Sequence, residues 1–99
     1  MIDETSVAPE VKFRYLFFKV LAMPTIVLEG YKFRFYSSDL YEPPHMHVLR
    51  GDKAAKIWLQ PVAVEYNHGY NSSELNRILR LTRKNQNSLL ETWNAYFSK

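Results

Sequence analysis

The sequence predicts an α+β domain: a small antiparallel sheet of four or five strands packed against a long C-terminal helix, or two nearly collinear ones. Three observations lead there. Between Thr25 and Tyr66, short runs of alternating apolar and polar residues are separated by turn signals. From Ser72 to Phe97 there is no Gly and no Pro, and apolar residues recur with the helical period. That helix is apolar along one side only, as a helix laid on one face of a sheet must be.

In chain order, Met1 to Pro9 are polar and read as a terminal tail. Over residues 11–21 two patterns coexist. Val11, Phe13 and Tyr15 alternate as in a strand, whereas Leu16, Phe17, Val20 and Leu21 repeat as in a helix. Both readings stand, and the aromatic content makes this N-terminal segment a candidate oligomerisation element. A single domain spans 23–99. Met23-Pro24 breaks the pattern, and Thr25 to Glu29 is a β-branched run ended by the turn residue Gly30. Tyr31 to Tyr36 alternates, with Tyr31, Phe33 and Phe35 on one face and Lys32, Arg34 and Tyr36 on the other. These two runs form a hairpin. Ser37 to Pro44 is a loop, because Ser-Ser-Asp is turn chemistry and Pro43-Pro44 forbids a helix.

His45 to Leu49 is the third strand and residues 50–53 a turn. Ala54 to Leu59 is the fourth strand, limited by Pro61, and Val62 to Tyr66 a short fifth. Asn67-His68-Gly69 reads as another turn. Ser72 and Ser73 are the expected helix caps, and Glu74 suits the positive end of the helix. Leu75, Ile78, Leu79, Thr82, Gln86, Leu89, Leu90, Trp93, Tyr96 and Phe97 fall within one arc of about 120°. Gln86 is its one strongly polar member. Asn85-Gln86-Asn87-Ser88 are poor helix formers, so a kink is expected there.

The 99 residues suffice for one modest core. Cysteine is absent, which excludes a disulfide framework and a thiolate zinc site and suits a cytoplasmic protein. No apolar run approaches the ~20 residues of a membrane span. Asp3 and Glu4 stand where a signal peptide carries positive charge. The net charge of +3 permits nucleic-acid contact without requiring it. There is no Gly-rich phosphate loop, no nucleophile with its base and no cofactor motif, so no cofactor is expected.

The unusual stretch is Glu42-Pro43-Pro44-His45-Met46-His47-Val48. On a strand, His45 and His47 point to one face and Met46 and Val48 to the other, into the core. Three readings of the pair remain open. As acid and base at neutral pH, with Lys56 on the adjacent strand holding a phosphate, the histidines could cleave RNA through its 2′-hydroxyl without a metal. With Asp39 or Glu42 as third ligand, they could bind zinc or nickel. Otherwise they bond to the backbone and hold the Pro-Pro loop. Tyr36 and Trp58 are candidate rings for stacking a base. Arg77, Arg80 and Lys84 lie within about 60° on the helix face opposite the apolar stripe, either as a phosphate-contact strip or as a solvated face. Leu81, set among them, is expected to be exposed.

Met23-Pro24-Thr25, Phe35-Tyr36-Ser37-Ser38-Asp39, Pro43-Pro44-His45-Met46-His47-Val48, Ala55-Lys56-Ile57-Trp58-Leu59, Gly69-Tyr70, Glu74-Leu75 and Trp93-Asn94-x-Tyr96-Phe97 together resemble the bacterial family called domain of unknown function 4160. The likeness runs from Met23 to Phe97, about three-quarters of the chain, and implies that Met1 to Ala22 is an extension it does not cover. The resemblance places the family's two histidines at His45 and His47 and its Ala-Lys position at Lys56. It places nothing at His68. It also implies a setting. Genes of the family often stand beside one for a second small protein, of the family called domain of unknown function 2442, and are frequently carried on mobile elements. That arrangement looks like a toxin–antitoxin module. Two classes of function are therefore expected: an interaction component of such a module, acting through a small protein partner, or a small ribonuclease-type toxin using His45 and His47; separately, an aromatic-rich, half-open sheet predicts a homo-oligomer.

Overall fold

The structure is a computed structural model and describes residues 24–98. The proposed oligomerisation element, and the choice between strand and helix at 11–21, lie outside the described residues. Five strands form one antiparallel meander in the order β1 (Thr25–Leu28), β2 (Tyr31–Arg34), β3 (His45–Arg50), β4 (Lys53–Leu59) and β5 (Val62–His68). Two helices follow, α1 (Ser72–Lys84) and α2 (Gln86–Tyr96). The α+β class holds, with five strands and with a break that divides the C-terminal helix. Among the described residues no helix is long and apolar enough to cross a membrane.

Local chemistry sets the hairpins. Glu29 (φ 50°) and Gly30 (φ 86°) both adopt left-handed backbone, the conformation of a two-residue turn matched to strand twist. That turn pairs Leu28 with Tyr31 and Ile26 with Phe33. Gly51 and Asp52 make the second tight turn, so that Arg50 faces Lys53. Gln60-Pro61 makes the third, between Leu59 and Val62.

Alternation then sorts the faces. Tyr31, Phe33, Phe35, Met46, Val48, Ala55, Ile57 and Leu59 are all at most 1% exposed and line the face that meets the helices. Ile78, Leu81, Leu89 and Trp93 close over them. Burying one such large side chain contributes about 1.5–3 kcal/mol, and the aromatic content is spent here. The Phe35 ring alone lies within 5.3 Å of the rings of Trp93, Tyr96 and Phe97. The opposite face stays half-open and carries Lys32, Arg34, His47, Lys56 and Trp58.

Three local expectations are corrected. The cap of α1 is Asn71 and not Ser72 or Ser73. Asn71 keeps an extended backbone and its side chain accepts from the Glu74 N–H at 2.8 Å, while the serines are already helical. β5 runs on to His68: Asn67 stays paired with Ala55 while its side chain closes the turn onto Tyr70. Leu81 is buried at 3% exposure. The single arc assumed one continuous helix. With a break at Asn85, α1 chooses its own buried stripe, Ile78, Leu81 and Thr82, the spacing of one helical face. Thr82 is tolerated there because its hydroxyl donates to the Ile78 carbonyl at 2.7 Å.

Candidate functional site

The site begins in the loop before β3. Ser37–Tyr41 winds into one 3-10 turn rather than an irregular loop. Asp39 sits at its third position, and its Oδ2 accepts from the Tyr36 N–H at 2.8 Å. This reciprocal cap fixes a carboxylate, on a residue only 7% exposed, over the start of β3. Pro43-Pro44 then carries the chain into the sheet, where the Pro44 carbonyl accepts from Leu59 N–H at 3.0 Å.

His45 and His47 share a face as their spacing requires, with ring centroids 5.0 Å apart. Asp39 Oδ2 lies 3.2 Å from Nε2 of each. The two rings differ sharply in setting. His45 is fully buried, packed edge-on to Trp58 at 5.5 Å and against Trp93 at 5.0 Å. Its Nδ1 lies 2.9 Å from the Pro43 carbonyl, a pure acceptor, so Nδ1 carries the proton. In the neutral ring Nε2 is then a bare lone pair, and it has no hydrogen-bond partner. His47 is partly open, packs against the tilted Tyr36 ring at 4.9 Å and has Nδ1 3.4 Å from the Tyr66 hydroxyl. Burial pushes its pKa below the ordinary 6.5; the Asp39 carboxylate opposes that shift, and His45 and Lys56 add to it. His47 is therefore neutral at neutral pH.

Lys56 lies directly opposite His47 in the β3–β4 register. Its ammonium donates to Glu42 and sits 4.8 Å above the Trp58 ring. Trp58 Nε1 in turn donates to Glu65 at 3.0 Å. A bulge opposite Lys56 and Ile57 makes this reach feasible: Lys56 pairs with Tyr66 and Ile57 with Val64, leaving Glu65 as the extra residue. Glu65 and Tyr66 therefore both reach residues of the histidine face.

The fold thus brings together Tyr36, Asp39, Glu42, His45, His47, Lys56 and Trp58. Glu42 is engaged by Lys56 and stands outside the convergent donor set, which is Asp39, His45 and His47. Arg77, Arg80 and Lys84 are not brought there. They are exposed on the helix layer, against the other side of the sheet, and Arg80 is 3.6 Å from Glu29. Sequence reasoning missed Glu65 and Tyr66, because strict alternation puts neighbours on opposite faces. It also missed a cleft of about 250 Å³ lined by Gly30, Lys32, Arg34, Leu49, Arg50 and Gly51. The available signal was that Lys32, Arg34 and Arg50 flank two facing turns.

The family described as Domain of unknown function (DUF4160) matches residues 30–94, more than half of the chain. The chain belongs to that family. The match is narrower at both ends than the Met23 to Phe97 likeness and leaves the N-terminal segment outside. No curated protein matches the chain, and no solved structure does.

Proposed function

We propose that this protein is the binding component of a toxin–antitoxin-like module and that its ligand is RNA, held on the open face of the sheet. The observation that carries the reading is the cleft whose open-face cations are Lys32 and Arg34, with Arg50 at its rim over the Tyr31 ring. Its lining contains three cationic side chains and no carboxylate. The Arg34 Nε is buried and has no hydrogen-bond partner. A buried, unpaired guanidinium N–H calls for an acceptor, and phosphate oxygens match it in charge and geometry. The cleft is smaller than the ~300–1,000 Å³ typical of drug-sized ligands, which favours a phosphate with its sugar over a whole cofactor. Arg34 faces His47 in register, so the cleft opens onto the same face as Tyr36, Trp58 and Tyr66. Rings beside cations are the usual platform for single-stranded nucleic acid. The gene arrangement implied by the family makes RNA the first polyanion to test, and RNA binding accords with a cytoplasmic location. A second copy of the chain belongs to the same proposal: among the described residues β1 and β5 are the outer strands, and Val27 on β1 is 61% exposed.

The two-histidine cleavage reading asks more than this face offers. A general acid or base must reach the reacting atoms, and His45 has no exposed surface. The test is fluorescence anisotropy with a labelled single-stranded oligoribonucleotide across a salt series, with product gels alongside. Wild type should bind with an affinity that falls steeply with salt, and Lys32→Ala/Arg34→Ala should weaken it at least about tenfold without changing Tm. Absence of binding at low salt sinks the RNA reading. If the neighbouring gene's protein then co-purifies instead, the ligand is that protein. RNA cleavage by wild type and its loss in folded His47→Ala would restore the ribonuclease.

A further inference from the structure

We infer that Asp39, His45 and His47 form a binding site for a divalent first-row transition-metal ion, of the zinc or nickel type. The donor atoms of the three residues lie within 4.8 Å of one another. Bonds of about 2.0–2.1 Å to one tetrahedral ion put neighbouring donors about 3.3 Å apart. The two Asp39–histidine separations are both 3.2 Å.

The second observation is the orphaned atom. His45 Nε2 is buried in a ring with no exposed surface and faces a carboxylate oxygen at 3.2 Å without a hydrogen bond. Two lone pairs at that distance repel, and burial leaves the imidazole nitrogen uncompensated. Only a positive species between them removes the conflict. A proton on Nε2 fits poorly, because its N–H would not align with Asp39; the same oxygen already accepts from the Tyr36 N–H and lies against His47. A metal ion needs a different geometry, one donor from each residue aimed at a shared point.

The surroundings are those of a ligand set. His45 Nδ1–H is fixed on the Pro43 carbonyl, His47 Nδ1 stands by the Tyr66 hydroxyl and Asp39 is held by the Tyr36 N–H. Metal-binding histidines and carboxylates are oriented by such partners. Two imidazoles and one carboxylate suit zinc, nickel or cobalt better than magnesium or calcium, which take oxygen donors. Three protein donors leave a further position for water or another ligand. The inference stands independently of RNA binding.

The test is isothermal titration of the chelator-treated full chain with Zn²⁺, and with Ni²⁺ and Mg²⁺ in parallel. Uptake of one Zn²⁺ or Ni²⁺ per chain with a rise in Tm, and none of Mg²⁺, is the expected result. Asp39→Asn and His47→Gln should abolish uptake, Glu42→Gln should leave it intact, and Tyr66→Phe should weaken it by roughly tenfold. Nitrogen NMR of wild-type histidines needs no variant: Zn²⁺ should shift the Nε2 resonances of His45 and His47 and spare His68. Absence of uptake, or uptake that shifts only His68, overturns the inference.

Discussion

The side-chain amide of Gln86 donates to the main-chain carbonyl of Leu59 at 2.5 Å. This one contact ties the first residue of α2 to the last residue of β4. It explains why the only strongly polar residue in the apolar stripe points inward. The two helices meet at Asn85, whose backbone leaves helical geometry (φ −109°, ψ 16°) and whose side chain donates to the Leu81 carbonyl at 2.8 Å, and Gln86 anchors the start of α2 on the sheet. Gln86→Leu should therefore destabilise the fold by about 1–2 kcal/mol despite adding apolar surface, because the half-buried carbonyl loses its donor. Urea denaturation of the two proteins measures it.

Leu81 gives a cleaner contrast. Leu81→Ala should cost about 2–5 kcal/mol in the same assay, the range for truncating a core leucine. A solvent-facing leucine in the basic strip would cost within about 0.5 kcal/mol.

The turn at Glu29 offers the opposite sign. A non-glycine residue there holds φ 50°, which costs about 1 kcal/mol for an ordinary side chain and less for asparagine. Glu29→Asn should raise stability by roughly 0.5–1 kcal/mol. The Arg80 partner it loses is exposed and worth little. A lowered urea midpoint would count against the turn assignment.

Tyr70 predicts a pH dependence. Its phenol donates to the Val48 carbonyl at 3.0 Å and packs edge-on to Tyr31. Burial first, then Tyr31 and Glu74, push its pKa from 10.0 to about 12. The folded state thus holds this proton more tightly than the unfolded chain does. The stabilisation is complete below pH 10 and is lost as pH rises toward 12. Thermal melts from pH 9 to 12 should show wild type falling more steeply than Tyr70→Phe. Parallel slopes would remove Tyr70 as the cause.

What was legible in the sequence was whatever follows from period and turn chemistry. Tyr31, Phe33 and Phe35 alternate without interruption, and the structure buries all three. Gly30 announced its hairpin, and His45 and His47 share a face because nothing disturbs β3. Position along the face was not legible. Alternation says that His45 points away from Met46, but not that Trp93, nearly fifty residues later, covers it. Leu81 was misplaced because one helix axis was assumed for two. Asp39 could be named as a ligand but not distinguished from Glu42, because that depends on which carboxylate Lys56 draws away.

The extra residue in β5 has a consequence for how this strand tolerates change. Every pairing from Val62 to Val64 and from Tyr66 to His68 is complete without Glu65. The strand is two regular segments joined out of phase, with Glu65 as the spacer. A chain lacking that single residue would keep each remaining partner and simply become straight. Removal of Ala63 or Asn67 instead would move Val64 opposite Trp58 or Tyr66 opposite Ala55, and so to the other face of the sheet.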